Sequence, residues 1–294
     1  MEAAPIPLLA AAASFVILAA GLALLGRGLF VAERRKKWFE TNALAHWDIA
    51  APEVAILLCL MVIDGFFLQL ATQLVLSKVA PEAAVTPGTP MTGLQVLASG
   101  LSFGLGTLLG WILFGRIRRG WQPEVGGPPR NVAVPAYRLP WTKVLVAGGT
   151  AVLVALPLVL AASLVWSLLI RLLKLPQEPQ DLVAIFARTD SPWVFAGLVV
   201  TVTVVAPLSE ELMFRGVLYR FLRQRFGRAV ALTASSLLFA AIHFNWSSFA
   251  SLAALAAVLA LAYEKTGDLR VPVVAHGLFN LNTTIFILAG QGQA

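Results

Sequence analysis

Residues 194–216 read VFAGLVVTVTVVAPLSEELMFRG: an uncharged run over 194–205 that leads directly into Glu210, Glu211 and Arg215. The run has the composition of a lipid-facing helix. Ionisable side chains are costly in that setting and usually mark function. The whole chain shares the preference, with 294 residues, 59% hydrophobic, 13% charged and mean hydropathy +0.81. Soluble domains carry about 45–50% apolar and about 25% charged residues. The expected fold class is all-α, a polytopic membrane helix bundle with about eight transmembrane helices. Apolar segments at 6–31, 53–77, 93–115, 144–172, 193–219, 229–245, 248–264 and 271–289 are its candidate spans, judged against the roughly 20 residues that cross a bilayer. The first is too long for a signal peptide's apolar region and lacks a basic start, so it reads as a retained helix.

The net charge of +7 resides between these segments. Arg34, Arg35, Lys36 and Lys37 follow the first. Arg116, Arg118, Arg119, Arg130, Arg138 and Lys143 separate the third and fourth. Arg220, Arg223, Arg225 and Arg228 follow the fifth, and Lys265 and Arg270 the seventh. This alternation is the signature of membrane topology, not of a nucleic-acid surface. It places the basic loops in the cytoplasm and both termini outside. A multi-pass integral protein of a bacterial plasma membrane is expected, with the lipid bilayer as its medium and no nucleic acid as partner; its oligomeric state is not encoded in these patterns. The single cysteine, Cys59, rules out an internal disulfide. The Pro/Gly-rich segment 120–142 reads as a cytoplasmic loop and 81–92 as a short outer loop.

Ionisable residues within spans are few: Asp64, Glu210, Glu211, Arg215, His243 and His276, with Gln69, Gln73, Asn245, Asn280 and Asn282 as polar neighbours. Asp64 and Gln69 read as helix–helix glue, and His46, in a cytoplasmic segment, as an interface residue. Glu211 and Arg215 stand at i and i+4 with the acid N-terminal, the favoured orientation for an ion pair. Glu210 is rotated by about 100° from Glu211 and is the poorer match for Arg215. Its carboxylate is left available for chemistry. Pro207 is expected to weaken the helix upstream. Phe239 and His243, and likewise His276 and Asn280, stand at i and i+4, so each pair shares a helix face. Counted from the turn near Gly227, Glu210 and His243 are each about 16 residues away, about 24 Å along a helix, whereas His276 lies only about 8 Å past Val271. The depths agree if 220–228 extends past the bilayer, which puts the site in the cytoplasmic half of the membrane.

Together these three segments resemble the CPBP family of intramembrane proteases, the CAAX proteases and bacteriocin-processing (Abi) enzymes. That family's pattern is EExxxR, FxxxH and HxxxN on successive helices. Here it reads Glu210-Glu211-x-x-x-Arg215, Phe239-x-x-x-His243 and His276-x-x-x-Asn280. The flanks agree: Ala-Pro before the glutamates, Phe-Arg-Gly at the end of the first motif and Ser-Ser-Leu-Leu before the second. The resemblance covers 193–290, the protease core. Residues 1–192 carry no recognised motif and are expected to form N-terminal helices that govern substrate access.

The resemblance implies endopeptidase chemistry on a membrane-anchored protein or peptide. Glu210 with His243 would activate water, Glu211 and Arg215 would support the geometry, and His276 with Asn280 would stabilise the oxyanion. Phe239 reads as packing. No cofactor is favoured. Zinc held by His243, His276 and Glu210 is the alternative, and Asn280, a poor zinc ligand and a good oxyanion donor, weighs against it. Two other function classes are open: a transporter or proton relay using the same buried acids and histidines, and a catalytically silent scaffold. The absence of a repeat relating the two halves argues against the transporter.

Overall fold

The computed structural model describes residues 6–31, 33, 36, 41–47, 49–81, 91–120, 138–175, 185–186 and 188–291, with side chains throughout except at 6–14, 119–120 and 289–291. Most of the expected loops at 81–92 and 120–142, and Arg34, Arg35 and Lys37, lie outside the described residues. Among the described residues the chain is helical, without strands. Helices α1 (Ile6–Phe30), α2 (Ala51–Val79), α3 (Gly93–Gly120) and α4 (Trp141–Leu172) come first. A long helical stretch follows: α5 (Pro192–Val200), a π-helical stretch (Thr201–Val205), α6 (Ala206–Glu211), a second π-helical stretch (Leu212–Tyr219) and α7 (Arg220–Ala241). A 3-10 turn (Trp246–Ser248) leads into α8 (Phe249–Thr266), and α9 (Arg270–Gln291) closes the described chain.

Six helical stretches among the described residues are long and apolar enough to cross a membrane, and a shorter apolar helix covers Phe15–Phe30. The chain is an all-α polytopic membrane protein. One of the six, Pro192–Ala241, has 50 residues and breaks at Gly227 (φ 80°, ψ 178°), a backbone conformation open essentially to glycine alone. The sixth apolar segment departs from the sequence expectation. Its helix stops at Ala241, not near 245, and so falls short of the roughly 20 residues a full crossing needs.

The described contacts divide the chain into two compact units: residues 1–44, 138–180 and 229–294, and residues 45–137 and 181–228. In the first, Ala151, Val154 and Ala155 of α4 pack with Leu255, Val258 and Leu259 of α8 and Ala275 of α9. Pro157 inside α4 has no N–H to offer the Leu153 carbonyl four residues back. Gly21 of α1 lies so close to that carbonyl that a Cβ would collide with it. The start of α9 is clamped to the chain entering α4. Leu139 N–H donates to Asp268 Oδ2 at 2.9 Å, and Arg270 donates to the Leu139 carbonyl at 2.6 Å. Arg270 also pairs with Asp268 at 2.7 Å and lies over the Trp141 ring at 4.7 Å. Burial pushes the Asp268 carboxyl up, but the hydrogen bonds from Arg270 and the Leu139 and Arg270 backbone outweigh it and hold the group below the usual carboxylate range.

In the second unit α2 and α3 cross at glycines. A Cβ at Gly106 would run into the backbone of Asp64 and Gly65, and one at Gly110 would meet Leu60 and Met61 at 2.7 Å. Small residues permit such close crossings where no hydrophobic force drives helices together. Thr72 with Ser102 (2.7 Å) and Gln73 with Ser99 (3.4 Å) supply interhelical hydrogen bonds. Asp64 contributes to this crossing through its backbone, against Gly106. Two arginines read as topology signals face inward. Arg118 pairs with Glu53 at 2.9 Å with 4% of its surface exposed. Arg220, 1% exposed, donates to the Ala45 carbonyl at 2.6 Å and lies 5.6 Å over the Trp47 ring. Spacing alone does not distinguish a solvated arginine from one held by a residue 65 or 175 positions away.

Gly106→Val is expected to force α2 and α3 apart and to destabilise the protein by about 1–3 kcal/mol. Gly149→Ala, where an added Cβ meets nothing, should be neutral or stabilising because alanine is the better helix former. Thermal unfolding of the two variants in detergent tests this. Equal midpoints would mean that the glycine crossing carries no packing energy.

Candidate active site

The first group of site residues belongs to the second unit. Pro207 removes a backbone donor, and its ring collides with the carbonyl four residues back in a regular α-helix. The chain widens there instead. Ala206 N–H reaches the Thr201 carbonyl, an i to i−5 bond, so the expected weakening at Pro207 takes the form of a π-turn and not a break. Thr201 and Thr203 return their hydroxyls to the carbonyls of Gly197 and Val199 at 2.8 and 2.6 Å, and Ser209 does the same to Val205 and Ala206. These polar side chains are thereby satisfied within an apolar helix. On α3, a Cβ at Gly104 would meet Val205 at 2.5 Å and Ser209 Oγ at 3.7 Å. The glycine lets α3 lie against the helix that carries the glutamates.

Arg215 donates to Glu211 Oε1 at 2.8 Å, with Glu211 fully buried and Arg215 2% exposed. Glu210 is half-buried. The second π-stretch begins at Leu212, so the residues after Glu211 turn less per residue than in an α-helix. Glu210, five positions before Arg215, consequently stands in the electrostatic field of the guanidinium as well. An α-helical reading assigns Arg215 to Glu211 alone. The π-helical backbone makes the triad a more connected unit.

The second group belongs to the first unit. Phe239 is fully buried, with its ring centroid 4.8 Å from that of His243 and 5.8 Å from that of His276. It thus touches both histidines. His276 is buried at 4% exposure, and Asn280, one turn further along α9, is half-buried. His243 differs from the sequence expectation of a residue inside a span. It lies past the end of α7, in a turn, and is exposed. His243 N–H reaches the Ala240 carbonyl and Phe244 N–H the Ala241 carbonyl, tightening the last turn. Phe244 adopts a left-handed conformation, φ 49°. His243 Nδ1 lies 2.7 Å from the Phe239 carbonyl oxygen. The i, i+4 relation between Phe239 and His243 is therefore a side-chain cap on a helix end as well as a ring contact.

Two features had no sequence signal that singled them out. The first π-helical stretch depends on how Pro207 is accommodated. The Asn245 side chain, which accepts Ser248 N–H at 2.9 Å, matters only because α7 ends early. Among the described residues, no three or more His, Cys, Asp or Glu side chains form a group suited to hold a metal ion.

The chain is a polytopic helical membrane protein that carries two adjacent acids on one helix, His276 on another and His243 in the turn after α7. Residues 192–282 match the family model described as type II CAAX prenyl endopeptidase Rce1-like. This segment contains both groups of motif residues. Similar proteins include the uncharacterized protein YpbD of Bacillus subtilis (strain 168), 37% identical over 96 residues, which are 31% of this chain and 44% of that protein. An uncharacterized 24.3 kDa protein of Escherichia coli is 35% identical over 114 residues, 37% of this chain and 52% of that protein. The chain spans about half the length of these curated relatives. No solved structure matches it.

Glu211→Gln leaves Arg215 as a buried charge without its partner carboxylate, a loss of about 3–5 kcal/mol for pairs of this kind. The variant is expected to show a lower folded yield and a lower unfolding temperature in detergent. Wild-type yield and stability would show that the pair is not needed to hold this helix.

Proposed function

We propose that the chain is an intramembrane endopeptidase that hydrolyses a peptide bond of a membrane-anchored protein or peptide, with Glu210 as general base. The observation that carries this reading is the contrast between two adjacent acids: Glu211 is fully buried against Arg215, whereas Glu210 is only half-buried. A second feature supplies the water. The backbone past Ala241 is non-helical at 242–245, and irregular backbone at membrane depth is tolerated only inside protein or beside a water-filled cavity. His243 is exposed there.

In this mechanism a water attacks the scissile carbonyl carbon while Glu210 takes one of its protons, with His243 orienting the same water. The carbonyl oxygen becomes an oxyanion that accepts hydrogen bonds from His276 and the Asn280 amide. When the intermediate collapses, the C–N bond breaks and Glu210 passes its proton to the departing amine. Glu211 and Arg215 hold the helix that presents the base. The role of Phe239 is to pack between the two histidine rings. No metal takes part. Residues 1–192 control access of the substrate, and 193–290 form the protease core. The basic loops are cytoplasmic and both termini lie outside in a bacterial plasma membrane. His276 is six residues into α9, about 9 Å from Arg270, so cleavage takes place near the cytoplasmic edge, where an extended segment exposes its carbonyls.

Glu210→Gln keeps shape and hydrogen-bonding capacity but removes the base. Cleavage of a membrane-anchored model substrate by purified protein should fall at least a hundredfold with folding unchanged. Full turnover by this variant would reject the base assignment. Mass-spectrometric mapping of the wild-type product ends tests the site's depth, and ends on the outer side would invert the orientation. Elemental analysis of active protein should find far less than one zinc per chain. Stoichiometric zinc lost together with activity on chelation would make His243 and His276 ligands.

A further inference from the structure

The end of α7 carries three observations that the peptidase reading does not require. His243 Nδ1 is 2.7 Å from the Phe239 carbonyl oxygen. Phe244, a bulky residue, holds φ 49°, a region that such side chains rarely enter. Asn245 accepts Ser248 N–H at 2.9 Å and caps the 3-10 turn that follows. Residues in such unfavourable conformations persist when their surroundings over-determine them, and they cluster at functional sites.

The first observation fixes a proton. A carbonyl oxygen only accepts hydrogen bonds, so the ring nitrogen facing it carries the hydrogen. Phe239 lies four residues before His243, in the last turn of α7, where the helix runs out of backbone N–H donors for its carbonyls. The imidazole supplies one of them. In the neutral ring, Nε2 is then an acceptor with a free lone pair. The remaining two observations hold the ring in that pose. The left-handed Phe244 reverses the chain directly after His243, and the Asn245 cap secures the far side of the same turn.

From this geometry we infer that neutral His243 is locked as the Nδ1–H tautomer, so that Nε2 is its reactive atom, and that Asn245 is a positioning residue that acts through the turn. Nε2 accepts a hydrogen bond from the attacking water while the water's other proton leaves to the general base. The imidazole therefore orients the nucleophile and need not change protonation state during the attack. The catalytic consequence rests on the peptidase reading, but the tautomer and the turn do not.

Selective ring-15N labelling of histidine in the full-length protein tests both parts. The chain has three histidines, and His243→Gln identifies the relevant signals by their loss. At a pH where His243 is neutral, the wild-type protein should show a protonated Nδ1 and an unprotonated Nε2. The reverse pattern would overturn the tautomer assignment. Asn245→Ala should give mixed tautomers and lower kcat roughly tenfold at nearly constant KM, as expected when a reacting group is misplaced and binding is intact. Asn245→Asp, which still accepts Ser248 N–H, should restore the wild-type signature and most of kcat. If Asn245→Ala leaves both signature and kcat unchanged, Asn245 has no positioning role. If the tautomers behave as expected but no variant or wild type cleaves peptides, the peptidase reading fails and the tautomer assignment stands.

Discussion

Hydrocarbon offers no hydrogen-bond partner to a backbone amide or carbonyl, and each one left unsatisfied there costs several kcal/mol. This constraint bears on three departures from regular helix among the described residues. At Pro207 the lost donor is accommodated by a π-turn in which Ala206 reaches back to Thr201. Near Pro157 the affected carbonyl of Leu153 is covered by the backbone of α1 at Gly21. Beyond Ala241 the helix stops, and a histidine ring takes the carbonyl of Phe239. The helix carrying the glutamates and the turn carrying His243 are both places where the ladder of backbone bonds is interrupted and repaired locally.

The same economy applies to charge. Glu211 and Arg215 are both almost fully buried, and each would be expensive alone. Their pairing leaves the helix neutral at that level and restricts its rotation. The neighbouring Glu210, on a different face, is half-buried and lies within the field of Arg215. Adjacent carboxylates thus acquire different environments from a rotation of about 100° per residue. Elsewhere, Arg118 and Arg220 show that basic residues flanking spans also serve as internal anchors, one paired with Glu53 and the other bound to the Ala45 carbonyl.

The first unit treats its histidines unequally. His276 is buried on α9 and touches the Phe239 ring edge, whereas His243 is exposed in a turn with one nitrogen committed to the backbone. A buried ring within a regular helix is held by packing. An exposed ring needs a hydrogen bond to fix its orientation, and the helix end provides one. Phe239, in contact with both rings, ties the two orientations to a single buried side chain.

Much of this was legible in the sequence because lipid imposes simple rules. Apolar segments of about 20 residues predict helices, i and i+4 spacing predicts the Glu211–Arg215 pair, and Gly227 marks the break in the 50-residue helical stretch. Three spaced motifs within 193–290 were enough to indicate the family of the segment 192–282. Sequence spacing assumes 3.6 residues per turn, however, and that assumption fails after Pro207. The π-helical stretch Leu212–Tyr219, which separates Glu210 from Arg215 by fewer degrees per residue, has no signal in the spacing. The early end of α7 is likewise hidden, because residues 229–245 remain apolar up to and past the point where the helix stops. Composition registers solvent, and the repeat of side chains registers helical faces. Where a helix widens, ends or turns an arginine inward is decided by contacts between residues far apart in the chain, and only the tertiary structure contains those.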